Sequence, residues 1–186
     1  MTHSPTHRRF QPLRALLRRS RLVRDRRGAV AVEFAILALP FFGLIAAVLE
    51  ASIVFFASQV LDSSLEDAMR LIRTGQAQTA SYTADTFRTK ICDRAFGLFS
   101  CNQIKVRVRV LTDFASASVA SSVIDPDTGD WLVVEQYNAG AGNSIVIAEA
   151  YYKWPTVVNI LGFSLANSAD GKRLLGTVRV WRNEPF

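Results

Sequence analysis

From Ala29 to Ala57 the chain reads AVAVEFAILALPFFGLIAAVLEASIVFFA, apolar at nearly every position and broken by charge only at Glu33 and Glu50. Length decides what such a run is. A bilayer core about 30 Å thick is crossed by about 20 helical residues at roughly 1.5 Å of rise each, and Ala29 to Leu49 supplies 21. Glu50 then falls near the far interface, where an ionised carboxylate costs little and needs no partner. Beyond the run, Leu61, Leu65, Ala68 and Ile72 recur at helical spacing among Asp62, Glu66, Asp67, Arg70 and Arg73. The helix is therefore expected to continue as an amphipathic one. Arg70 and Arg73 followed by Thr74 and Gly75 read as a positively biased last turn with a left-handed cap. Pro40, inside the span, frees the carbonyl of Ile36 and predicts a kink or local unwinding.

The remainder alternates between short elements. Tyr82 to Phe99 predicts a second helix with Phe87, Ile91 and Leu98 near one face. Ile104 to Val110 alternates without error, giving a strand one apolar face and one row of Lys105, Arg107 and Arg109. That basic row reads first as a solvated face, and second as a contact for an acidic surface on another subunit. Ser116 to Ser122 is a small-residue loop. Asp125 to Asp130 (DPDTGD) reads as a hairpin turn leading to a strand over Trp131 to Glu135. A calcium loop would want a bidentate glutamate at its twelfth position, where Gln136 stands. Gly140 to Asn143 is a further turn, Ser144 to Trp154 a strand ended by Pro155, and Val157 to Leu165 an apolar loop or short helix. The exposed part of that last segment is a candidate subunit contact. Leu174 to Trp181 makes the last strand. The expected fold class is α+β: a long N-terminal transmembrane helix, continuing as an amphipathic helix, packed on a small antiparallel sheet of three or four strands.

Charge then fixes topology. The chain of 186 residues has 22 Lys+Arg against 16 Asp+Glu, a balance that would suit a nucleic-acid binder if the charge were spread over a domain. It is not spread. Met1 to Gly28 holds nine arginines and one acid, Asp25, whereas Ala29 to Phe186 has 13 basic against 15 acidic residues. Nucleic acid is accordingly not expected as a partner. Arginines placed immediately before an apolar span put the N-terminus in the cytoplasm and Ser58 to Phe186 on the other side. A cleaved secretory signal would have an apolar region of only about 7–15 residues, and the residues after Arg18-Arg19 fit a twin-arginine signal poorly. Both histidines, His3 and His7, lie in the tail. A product without the tail has no imidazole for triads or metal sites, Gly140-Ala141-Gly142 lacks the rest of a phosphate loop, and the residues call for no cofactor and no catalytic role. Cys92 and Cys101 fall on the exported side, where a disulfide is expected; their spacing excludes a CxxC redox pair.

Glu33 remains, a charge in the first turns of an apolar span. As an isolated residue it could be a snorkelling or protonated acid. With its neighbours it forms a pattern: basic residues, Gly28, then Ala29-Val30-Ala31-Val32-Glu33-Phe34. This arrangement resembles the class III signal of type IV pilin-like proteins, which a prepilin peptidase cuts after the glycine, with glutamate fifth in the mature chain and often an aromatic sixth. The wider stretch from Arg26 to Gly75 and the ending Val178 to Phe186 (VRVWRNEPF) resemble the TadE-like family of tight-adherence (Flp, type IVc) pilus proteins. The resemblance is strong over the helix, recognisable at the C-terminus and weak between.

The resemblance implies a pilin-like fold and a minor pseudopilin supporting pilus assembly in a bacterial inner membrane. Its partners would be the prepilin peptidase, other pilus pseudopilins, inner-membrane assembly proteins and membrane lipid. The implied organisation is a basic cytoplasmic leader over 1–28, a transmembrane helix over 29–57 and an extracytoplasmic domain over 58–186, with Gly28, Ala29, Glu33 and Phe34 as the processing residues. The alternative is an uncleaved single-pass membrane protein whose outer domain binds a ligand or partner.

Overall fold

The computed structural model describes residues 28–119, 122–160 and 163–186. The expected leader, Gly28 excepted, lies outside the described residues, together with both histidines and parts of the small-residue loop and of the apolar segment after Val157. The chain divides into two compact units, Met1–Ile45 and Ala46–Phe186. Helix α1, Ala29–Arg73, begins in the first and continues in the second.

In the first unit the apolar side chains of α1 are open on every side, with Val30, Phe34, Leu37 and Leu39 all at least 67% exposed. The helix is long and apolar enough to cross a membrane by length and composition, and it is helical through Pro40. In the second unit burial starts at Val54 and recurs at Ala57, Leu61, Leu65, Ala68 and Ile72, the spacing of one helical face. The helix ends at Gly75, whose φ of +79° is left-handed. A Cβ there would also lie 2.7 Å from the ring of Phe186, so conformation and space both demand glycine. Instead of stopping outright, the chain makes a short helix α2, Gln76–Thr79.

The second long helix, α3, spans Ala84–Arg94 and is shorter than the Tyr82 to Phe99 expected. Thr83 caps it, its Oγ1 accepting the Thr86 N–H at 3.2 Å. Positive φ at Phe96 and Gly97 then turns the chain away before Phe99. A Cys92–Cys101 disulfide, with Cα atoms 5.6 Å apart, ties the last turn of α3 to the 3-10 turn Cys101–Gln103 that precedes the sheet.

The sheet contains β1 (Lys105–Leu111), β2 (Gln136–Tyr137), β3 (Ile145–Pro155) and β6 (Lys172–Arg182), in the order β2-β1-β3-β6. β1, β3 and β6 pair antiparallel, whereas β2 joins β1 in parallel, so the sheet is mixed rather than wholly antiparallel. The strand expected over Trp131 to Glu135 does not form. Trp131 makes a single bridge to Ile124 across the Asp125 to Asp130 turn, and pairing with the sheet waits until Gln136. By then the Glu135 carboxylate has accepted the Val106 N–H. The apolar segment after Pro155 forms a hairpin of two-residue strands, β4 (Asn159–Ile160) and β5 (Phe163–Ser164), rather than a loop or short helix.

β3 is the centre. Every residue from Ile145 to Tyr152 is buried, because both neighbours and both faces are covered. Val146, Ala148, Ala150 and Tyr152 join α1, Phe87 and Ile91 of α3, and Val106 and Val108 of β1 in the main core. The opposite face puts Tyr151 against Val123 and Val133 of the long connection. The small side chains at 148 and 150 leave room for α1 to approach the sheet.

The disulfide closes a short loop, so removing it should cost little but measurably. The double substitution C92S/C101S is expected to lower the unfolding free energy by at most about 2.7 kcal/mol, read from chemical denaturation of the detergent-solubilised chain, with helix content unchanged before the transition.

Candidate functional site

The residues at the head of α1 are consecutive and exposed. Gly28 directly precedes the helix, whose first residue is Ala29. A Cβ built on Gly28 would meet nothing within 4 Å. Among the described residues, neither packing nor a left-handed φ explains a glycine at this position. Glu33 stands one turn after Ala29 on the same side of the helix and is exposed. No ion pair to it is found among the described residues, and Phe34 beside it is 67% exposed. An exposed carboxylate in an apolar helix is costly unless it finds a partner, and the described residues supply none.

The second unit treats its charges in the opposite way. The basic row of β1 is not a solvated face. Arg107 donates to Glu149 twice, Nε to Oε2 at 2.5 Å and Nη2 to Oε1 at 2.9 Å. Arg109 Nη2 adds a bond to Glu149 Oε1 at 3.3 Å and one to the carbonyl of Ser118 at 2.6 Å. Glu149 is fully buried, and the Tyr151 hydroxyl donates to it at 3.3 Å. Burial, helped by the Glu149 charge, pushes the Tyr151 phenol up to about 12. The bond to Glu149 raises Arg107 above its ordinary value against the opposing effect of burial.

Lys105 completes the row differently, pairing at 3.4 Å with Glu135. Arg88 of α3 reaches the same carboxylate at 2.6 Å and also pairs with Asp85. Burial pushes Glu135 up, but Arg88, the Val106 N–H and Lys105 together hold it below the usual carboxylate range. Sequence carried a signal for this arrangement. An acid at the fifth position of the strand IVIAEAYYKWP falls on the face opposite Ala148 and Ala150, and a neighbouring strand with three basic residues in alternation is its complement.

Glu50 also departs from expectation, because it has partners. Its Oε1 accepts the Val157 N–H at 2.5 Å, and the Val158 N–H lies 3.1 Å from each oxygen. Farther along α1, Asp62 accepts the Thr177 hydroxyl at 2.5 Å and pairs with Arg179 of β6. Arg73 meets Glu184 at 3.2 Å, a pair more than half exposed on both sides and worth little by itself. Between these contacts runs an open groove of about 420 Å³ lined by Glu66, Asp67, Arg70, Arg179 and Trp181. Its charges are mixed in sign, and among the described residues no cluster of three or more His, Cys, Asp or Glu could hold a metal ion.

Residues 28–70 match the family model described as TadE-like protein. The match covers Gly28, Glu33 and nearly all of α1, and it stops before the sheet. No curated protein and no solved structure matches the chain.

Glu149 neutralises two arginines from a site with no access to water, so its removal strands both. The substitution Glu149→Gln is expected to destabilise the second unit by about 3–5 kcal/mol, the cost of breaking a buried ion pair from one side. Denaturant titration followed by tryptophan fluorescence checks this, and Glu184→Gln, at an exposed pair, should move the midpoint hardly at all.

Proposed function

We propose that the chain is a minor pseudopilin-like structural component that supports assembly of a tight-adherence type IV pilus, matured by prepilin peptidase cleavage after Gly28. The observation that carries this reading is a glycine whose Cβ would meet no described atom within 4 Å and an exposed glutamate in an apolar helix, at the spacing seen in the class III signal that the segment resembles. The match of residues 28–70 to the TadE-like model supports the same assignment.

Cleavage removes the arginine-rich leader and leaves an α-amino group at Ala29 with a pKa of about 7.7–8.0. That cation sits at the N-terminus of α1, where the helix dipole is already positive. Glu33, one turn on, offsets both charges within the chain, or meets the amine of a neighbouring subunit when apolar helices bundle. The uncut chain cannot make this pairing. Cleavage thus converts a helix held at the cytoplasmic face by its arginines into one competent to associate.

The leader over 1–28 and a cytoplasmic N-terminus follow from the arginines, and the Cys92–Cys101 disulfide supports an oxidising compartment for the outer domain. The boundary near 57 is supported by the start of burial at Val54 and Ala57. The peptidase, other pseudopilins, inner-membrane assembly proteins and lipid are the partners this role needs.

Mass spectrometry of the protein extracted from membranes that contain the peptidase should find Ala29 as the first residue, and Gly28→Asp should accumulate as the full 186-residue chain. An intact Met1 end in the wild-type protein would overturn the maturation step. Separately, Glu33→Ala should insert and be cut normally yet lose most of its co-purification with other pilus components. Recovery equal to wild type would remove Glu33 from assembly.

A further inference from the structure

Glu50 sits where the apolar run is ending but has not ended. Leu49 before it, and Ile53, Phe55 and Phe56 after it, are each more than half exposed, although all belong to the same compact unit as the sheet. Into this collar the chain brings the turn after β3. The two amides of Val157 and Val158 converge on the Glu50 carboxylate, and the Val157 side chain is left 88% exposed. Each group answers a need of the other, because a carboxylate ringed by apolar side chains requires donors and two backbone N–H groups outside a strand ladder require an acceptor. The same bonds hold Val157 level with the turn of α1 that contains Glu50.

The sheet is oriented to match. Thr177 and Arg179 of β6 meet Asp62 of α1, and Glu184 meets Arg73, so β6 and α1 run in the same sense. The opposite end of the β3–β6 pair, where Pro155 is paired with Lys172, therefore points toward Glu50. There Lys172 keeps an ammonium with 46% of its side chain exposed, 3.4 Å from Asp170. The segments Asn159–Ile160 and Phe163–Ser164 bear no charge.

We propose that this end of the second unit is a second membrane contact, with Val157 seated at the boundary between acyl chains and headgroups at the level of Glu50, and Lys172 among the headgroups. The occupant is lipid because the apolar collar continues the membrane-crossing stretch of the same helix, and a phase that receives Leu49 also receives what is bonded to its neighbour. A Lys at that level extends its charge outward while its stem stays apolar. Glu50 is then a clamp that fixes the height and tilt of the sheet over the bilayer, and it needs no ionic partner for the task. The inference rests on the reading of α1 as a membrane span.

Val157→Cys in the full chain, labelled with an environment-sensitive fluorophore while the native cysteines are tied in their disulfide, tests this in phosphatidylcholine–phosphatidylglycerol vesicles carrying a spin label near the headgroup end of one acyl chain. Blue-shifted emission with strong quenching is expected at 157. Val134→Cys, at a position 78% exposed, should stay water-like and unquenched. Leu37→Cys, in the middle of the apolar stretch, should be quenched by a label deep in the acyl chains. A water-like signal at 157 with Leu37 quenched overturns the inference while the span stands, and blue-shifted but unquenched emission overturns it in favour of a protein cover. Loss of quenching at both positions removes the span as well. Adding Glu50→Ala should reduce quenching at 157 severalfold without changing it at 37, and equal quenching at 157 would remove the clamp.

Discussion

A helix can be apolar on every face only where water does not reach it, and α1 must change its surroundings partway along its length. Its first turns expose large side chains in all directions, and from Val54 onward one face alone is covered. The rest of the second unit is built to cover that face. β3 lies in the middle of the sheet with both edges paired, and its helix-facing positions include Ala148 and Ala150, so the packing distance is set by small residues opposite Leu61 and Leu65. The disulfide and the cap at Thr83 then hold α3 against the same core. Without the amphipathic half of α1, this thin sheet would have an uncovered apolar face.

Electrostatics divide along the same lines. Inside the second unit the buried Glu149 is met at short range by two arginines and a phenol, and the partly exposed Glu135 by Arg88, Lys105 and a backbone amide. Such clusters contribute little net stability over an apolar alternative, yet they are costly to break and so favour one register of β1 against β3. A slip by one residue would move Arg107 and Arg109 into the main core. The alternation of β1 thus does two jobs, an apolar row for α1 and a cationic row whose two arginines meet the buried Glu149 and whose lysine meets Glu135.

Local rules make much of this legible. Periodicity gives the extent of α1, the cap at Gly75, the alternation of β1 and the long strands β3 and β6, because each is specified by residues near one another in sequence. Three features escape for a common reason: their causes are distant in sequence. The basic row reads as solvent-facing because Glu149 lies some forty residues away, Glu50 reads as unpartnered because Val157 lies 107 residues on, and β2 is misplaced because its parallel pairing needs a long crossover whose length periodicity does not encode. The end of α3 is overrun because Phe96 takes a positive φ that its residue type does not advertise.

Consistency between levels also gives the amino-terminal pattern its meaning. Where the fold needs a glycine, as at Gly75, two independent structural reasons are present, a left-handed φ and a ring in the way of any Cβ. At Gly28 neither is found among the described residues. Where the fold buries an acid, as at Glu149 or at the edge of the apolar collar at Glu50, donors converge on it; at Glu33 none do among the described residues. Two positions five residues apart lack, among the described residues, the internal reasons that Gly75, Glu149 and Glu50 show, and such departures concentrate where a chain meets something other than itself. On the proposed reading, Gly28 gives a peptidase close access to the backbone, and the amine that the cut would bare at Ala29 gives Glu33 a cation within an apolar bundle.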